Sequence, residues 1–143
     1  MKINNKWMVT ILALVGLISA CATKTVTVEK IPPSKTEEVE GSDFKRLTLT
    51  EKAAERLDIQ TSQVEQMDDS QKKIIPYAAV LYGLNGETWT YTNPEPLVYL
   101  REVIVVDHID GDMAILLEGP EVGTPVVTVG VSLLYGAEVG VSK

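Results

Sequence analysis

One polar cluster in the 143-residue chain invites a chemical reading: Asp107-His108-Ile109-Asp110-Gly111-Asp112, three carboxylates and an imidazole within six residues. Carboxylate oxygens at that density could hold a hard cation. The ligand order and glycine of an EF-hand loop are missing, however. The same residues suit a solvated hairpin in which Asp110-Gly111 supplies a positive-φ turn, and that is the expectation. His108 could act as a general base only beside a nucleophile or an orienting partner. No Ser-His-Asp arrangement, phosphate-binding glycine loop or zinc-ligand spacing accompanies it. Trp89, Tyr91, Tyr82 and Tyr99 could line a ligand groove, but their large apolar surfaces suit a packed core better. The sequence therefore predicts no catalytic residue, no metal ligand and no cofactor, and the chain is not expected to be an enzyme.

One residue remains with a chemistry of its own. Cys21 is the only cysteine, and it follows Lys2, Lys6 and a charge-free apolar run over residues 7–20. As a helix that run would reach roughly 21 Å, short of the ~30 Å hydrocarbon core of a bilayer. A basic start, a short apolar stretch and small residues at its end make residues 1–20 a secretory signal peptide. Ile18-Ser19-Ala20-Cys21 resembles the lipobox of bacterial lipoproteins. The resemblance implies a diacylglycerol on the Cys21 thiol, cleavage before Cys21 and acylation of the new amino group. Two or three acyl chains on one residue anchor firmly where one chain binds only reversibly. Cys21 is thus the expected lipidation site, and a lone cysteine leaves no internal disulfide. Removing Lys2 and Lys6 with the signal deepens the formal charge from −7 to −9 over 123 residues. Such a balance argues against nucleic acid and against a basic patch on anionic lipid.

Positioning of the remaining residues falls to two regions. Residues 21–43 carry Pro32-Pro33 and the acids Glu37, Glu38, Glu40 and Asp43, and they read as a flexible acidic tether of roughly 25 Å root-mean-square span. The TVTV piece within it could pair as a short strand. Residues 44–143 read as one small β domain. RLTLT alternates like a half-buried strand. Thr50 is a helix N-cap with Glu51 in the first turn, and Ala53, Ala54 and Leu57 share a face of a short helix ending near Asp58. IQTSQVE resumes alternation, QMDDSQ is a polar loop, and IIPYAAVLY is strand-like with Pro76 at an edge or strand start. Asn85-Gly86 suits a tight hairpin turn. ETWTYT alternates with Trp89 and Tyr91 on one face, NPEP is a turn, and LVYLREVIVVDH is one long strand or two short ones. MAILLEG and PVVTVG are further strands, separated by a GPEVGTP turn. SLLYG is a last strand or a helical turn. About seven short strands and one short helix predict a mainly β fold, a small antiparallel barrel or sandwich.

Residues 75–92, 100–130 and 133–140 resemble the C-terminal part of periplasmic adaptor proteins (membrane fusion proteins) of resistance-nodulation-division efflux pumps. Pro76, Ala79, Val80, Gly86, Trp89, Arg101, Gly119, Gly123, Val126, Val127 and Gly130 fit that family's pattern. Residues 47–65 resemble the segment that opens the mature adaptors, with Asp58 where glycine is common. In a full adaptor a lipoyl-like domain, an α-helical hairpin and a β-barrel separate the two segments. Here QMDDSQKK alone joins them. The resemblance therefore implies a free-standing membrane-proximal domain, lipid-anchored on the extracytoplasmic face of the cell membrane, with a transporter or adaptor as partner. Ala22 replaces the aspartate that often retains lipoproteins at an inner membrane, which leaves outer-membrane sorting open. Some metal-efflux adaptors bind copper or silver through methionines, but Met67 and Met113 are too few for such a site. The competing expectation is a stand-alone envelope lipoprotein that binds a small ligand or ion.

Overall fold

The computed structural model describes residues 32–68 and 70–140. The signal peptide, Cys21 and the TVTV piece lie outside the described residues. Eleven strands are described. One antiparallel sheet is built from β1 (Ser34–Glu38), β2 (Lys45–Leu49), β3 (Gln60–Gln63), β6 (Leu81–Tyr82), β7 (Thr88–Glu95), β8 (Val98–Val103) and β11 (Pro125–Val129). Its strand order is β1-β2-β8-β7-β11-β3, with β6 added to β7. A second, four-stranded sheet runs β4 (Glu65–Gln66), β5 (Lys73–Pro76), β10 (Met113–Glu118), β9 (Val105–Asp110). The fold is mainly β and sandwich-like, as expected, but neither sheet closes into a barrel.

Two stretches of chain pass from one sheet to the other at single buried residues. Val64 separates β3 from β4, and Ile104 separates β8 from β9, so LVYLREVIVVDH forms two strands. A corner inside a core must satisfy its own peptide groups. Val64 N–H donates to the Thr124 carbonyl at 2.9 Å and its carbonyl accepts from Gly123 N–H at 2.8 Å. Ile104 N–H donates to the Thr88 carbonyl at 3.0 Å, while the Thr88 hydroxyl donates to the Ile104 carbonyl at 2.7 Å.

Alternation along β11 divides the core. Val126 and Val127 are both fully buried yet face opposite ways. Val126 joins Val64, Ile75, Ala79, Ile104, Ala114 and Leu116 between the sheets. Val127 joins Leu47, Leu49, Tyr91 and Tyr99 beneath the helices, with Ala53 of α1 (Glu51–Arg56) and with Val131 and Leu134 of α2 (Val131–Val139). The layers are therefore helix, large sheet, small sheet.

Four expectations are corrected. Ser34–Glu38, placed in the tether, instead pairs with β2 as an edge strand, with Glu37 opposite Arg46 and Glu38 opposite Lys45. Charged residues are what an exposed edge carries. The NPEP turn is displaced: β7 continues through Glu95, and the chain reverses at Pro96-Leu97 with Leu97 at φ 65. The second hairpin reverses at Gly111-Asp112, Gly111 having φ 60, because Asp110 still pairs with Met113. Pro76 ends β5 ahead of a 3-10 turn (Tyr77–Ala79) instead of starting a strand, whereas SLLYG takes the helical one of its two expected forms, within α2.

The predicted helix α1 forms with Thr50 as its cap, the hydroxyl accepting from Ala53 N–H at 3.2 Å. Its end is a Schellman motif: Ile59 N–H reaches the Ala54 carbonyl at 3.3 Å and Asp58 N–H the Glu55 carbonyl at 3.1 Å. Asp58 sits at φ 49, a conformation in which any Cβ is crowded. Asp58→Gly is expected to raise stability by about 0.5–1 kcal/mol. Urea unfolding should show a higher midpoint at unchanged slope; an unchanged or lower midpoint contradicts this account of the turn.

Candidate functional site

Three neighbouring strands and α2 converge on Arg101. It lies on β8 opposite Tyr91 of β7, two residues along from Trp89 on the same face. A guanidinium there would be an uncompensated charge inside the domain, and its side chain retains only 10% of its exposure. Glu138 of α2 neutralises it, its carboxylate accepting from Arg101 Nη2 at 3.0 Å. The same carboxylate accepts from Lys45 N–H at 3.3 Å and from the Tyr91 hydroxyl. Aromatic rings close the rest. The guanidinium carbon lies 4.4 Å from the Phe44 ring centre, 4.6 Å from Trp89 and 5.3 Å from Tyr135. Trp89 and Tyr135 stack at 6.5 Å, and Phe44 meets Trp89 edge-on at 6.2 Å. These are cation–π distances, favourable where water is excluded.

Backbone geometry permits this convergence. Trp89 lies so close to Gly83 that a Cβ there would stand 2.6 Å from the ring. Gly130, at φ 91, starts α2, and a Cβ on it would stand 2.3 Å from Ile59 Cδ1. Both glycines let a large side chain approach backbone that any other residue would hold away. The carboxylate's described partners are all donors that fix it in place, so what the arrangement does chemically is lock α2 onto the sheet. Burial, then the hydrogen bond to Glu138, raises the Tyr91 phenol well above the ordinary tyrosine value.

The other sequence candidates are dispersed. Among the described residues no group of three or more acidic, histidine or cysteine side chains is arranged to hold a metal ion. Asp107 instead accepts from Lys72 Nζ at 2.6 Å and meets His108 Nδ1 at 3.0 Å. Lys72 and then His108 hold its carboxyl below the ordinary aspartate value. Tyr91 and Tyr99 are core residues, Trp89 and Tyr91 border Arg101, and Tyr82 stands at the surface against Tyr77. An open depression of about 550 Å³ lies over the turn between β1 and β2, lined by residues 38–45. Cys21, the expected lipidation site, is outside the described residues. Sequence reasoning singled out Arg101 without its role and missed Glu138 altogether. The available signal was a lone acid inside the apolar LLYGAEVG stretch. No family model, curated protein or solved structure matches the chain.

Truncating one member of a buried pair leaves the other charged and dry. Glu138→Ala is expected to cost about 3–5 kcal/mol, whereas Arg101→Met, Glu138→Leu and Tyr91→Phe together recover most of that loss. Chemical unfolding of both variants tests this, and a near-neutral Glu138→Ala contradicts it. Tyr91 adds a pH dependence. Its folded-state pKa is raised, so its contribution is complete below the unfolded value near 10. Above that pH the unfolded chain loses the proton and the folded chain keeps it, so stability falls by up to about 1.4 kcal/mol per pH unit. Tyr91→Phe should flatten the alkaline limb of the stability–pH profile; an unchanged limb rules out the assignment.

Proposed function

We propose that this chain is a lipid-anchored, non-enzymatic envelope module, akin to the membrane-proximal domain of efflux adaptors, and that it docks to a membrane transporter or its adaptor. The reading rests on the resemblance of residues 47–65 to the opening segment of those adaptors and of residues 75–92, 100–130 and 133–140 to the closing one. One observation supports it above the rest: the two segments share a hydrophobic interior. Leu47, Leu49 and Ala53 of the first pack with Tyr91, Tyr99, Val127, Val131 and Leu134 of the second. They also share a sheet, since β2 pairs with β8 and β3 with β11. A short polar connection is then all that one compact unit needs, and the middle of an adaptor is dispensable to its folding.

The aromatic residues that a ligand groove would use favour this reading over a stand-alone binding lipoprotein. Tyr91 and Tyr99 are buried, and Trp89 is stacked on Tyr135. Affinity capture of the full acylated chain from detergent-solubilised membranes is expected to recover an integral membrane transporter or an adaptor. Cys21→Ser should release the exported chain from the membrane fraction. Retention of that variant on membranes refutes the anchor. Absence of any transporter or adaptor, together with saturable binding of a small ligand, refutes the module.

A further inference from the structure

The β6–β7 turn exposes apolar surface in a way that the domain's own packing does not explain. Leu84 at its tip is fully exposed. Its neighbours Gly83, Asn85 and Gly86 carry no charge. The carboxylate nearest the tip, Glu87, is drawn back onto the turn, accepting from Asn85 N–H at 3.2 Å and from Asn85 Nδ2 at 3.1 Å. Tyr82 follows at the base of the turn, 52% exposed and edge-on to Tyr77 at 6.3 Å, itself 44% exposed. Val103, opposite Trp89 at the same end of the sheet, is 57% exposed. A leucine at a tip with tyrosines behind it follows the depth order of a bilayer surface, where aliphatic groups enter the acyl boundary and amphipathic rings stay at head-group level.

We propose that this turn is a second contact with the membrane, Leu84 entering the bilayer and Tyr82 and Tyr77 lying at its interface. The inference rests on the lipid-anchor reading, which supplies the reach. Twelve residues separate Cys21 from Ser34. They can reach at most about 40 Å. The register places Ser34 and the β6–β7 turn at opposite ends of the large sheet, since Ser34 lies beside Leu49 whereas Trp89 lies beside Val103. At ~3.3 Å per residue those ends are about 25 Å apart, so the linker can run the length of the domain and still reach the surface that the turn touches. With the mature chain at −9, the surface that fits is zwitterionic lipid.

The test uses the mature acylated chain in phosphatidylcholine vesicles. Acylation occupies Cys21, so Leu84→Cys provides the single thiol for a nitroxide label, with Glu55→Cys on α1 as the comparison site. Co-flotation with the vesicles reads the anchor. Relaxation of the nitroxide by oxygen against a water-soluble nickel chelate reads the turn. The expected result is flotation of both variants, with position 84 favouring oxygen and position 55 favouring nickel. A nitroxide at Val103→Cys should share the shielding and lose it when Leu84→Asp is added, which separates the turn's own insertion from any pull by the label. Flotation with position 84 as open to nickel as position 55, or shielding at 103 indifferent to Leu84→Asp, overturns the second contact and leaves the turn to a protein partner. Failure to float overturns the anchor and this inference with it.

Discussion

The Arg101–Glu138 pair is the constraint to which the rest of the large sheet answers. A guanidinium in the middle of a sheet face needs a counter-charge within hydrogen-bonding distance, and β8 and its neighbouring strands do not supply one on that face. Glu138 does so only if α2 lies across the sheet, and α2 lies there only because Gly130 lets it start hard against Ile59. Once in place, the helix brings Tyr135 over Trp89, and the rings of Phe44, Trp89 and Tyr135 shield the ion pair that positioned them. A carboxylate engaged by a guanidinium, a phenol and a peptide N–H admits few alternative positions, which fixes the seat of α2 on the sheet.

That lock meets the inter-sheet core at β11. Its two adjacent valines belong to different layers, so the helical layer and the small sheet are organised around one central strand. The corners at Val64 and Ile104 then carry the chain between sheets without leaving a buried peptide group unpaired. The segments on either side of the polar connection after Glu65 thus form one interior, which is the physical ground for the proposed function.

Local chemistry was readable in advance and tertiary chemistry was not. The cap at Thr50, the apolar face of α1 and the alternation of Trp89 with Tyr91 all follow from residues adjacent in the chain, whereas the hairpin expected at Asn85-Gly86 turns instead around Leu84-Asn85, with only Gly86 at positive φ. Asn93-Pro94 looks like punctuation, but its position on a strand end is set by the Asn93 amide, which donates to the Glu95 and Val98 carbonyls at 2.7 and 2.8 Å. β1 looked like tether because only its pairing with β2 makes a charged segment a strand. Glu138 carries no local signal of its role because its three partners lie 37 or more residues away. The α2 segment is apolar nearly all round, which gives no period from which to choose between strand and helix.

The placement of β1 has a mechanical consequence. It is an edge strand, held by one neighbour, and it is the first described strand after the N-terminal segment. A pull arriving from that segment is borne first at the Pro33 carbonyl, held by Thr50 N–H at 3.0 Å, and then at Ser34, from which β1 peels off β2 one residue pair at a time and the helix-covered interior is spared. Each residue released adds about 3.4 Å of free chain. The strand therefore behaves as a short extensible spring in series with the domain, yielding to a pull on its N-terminal side before the helix-covered interior is loaded.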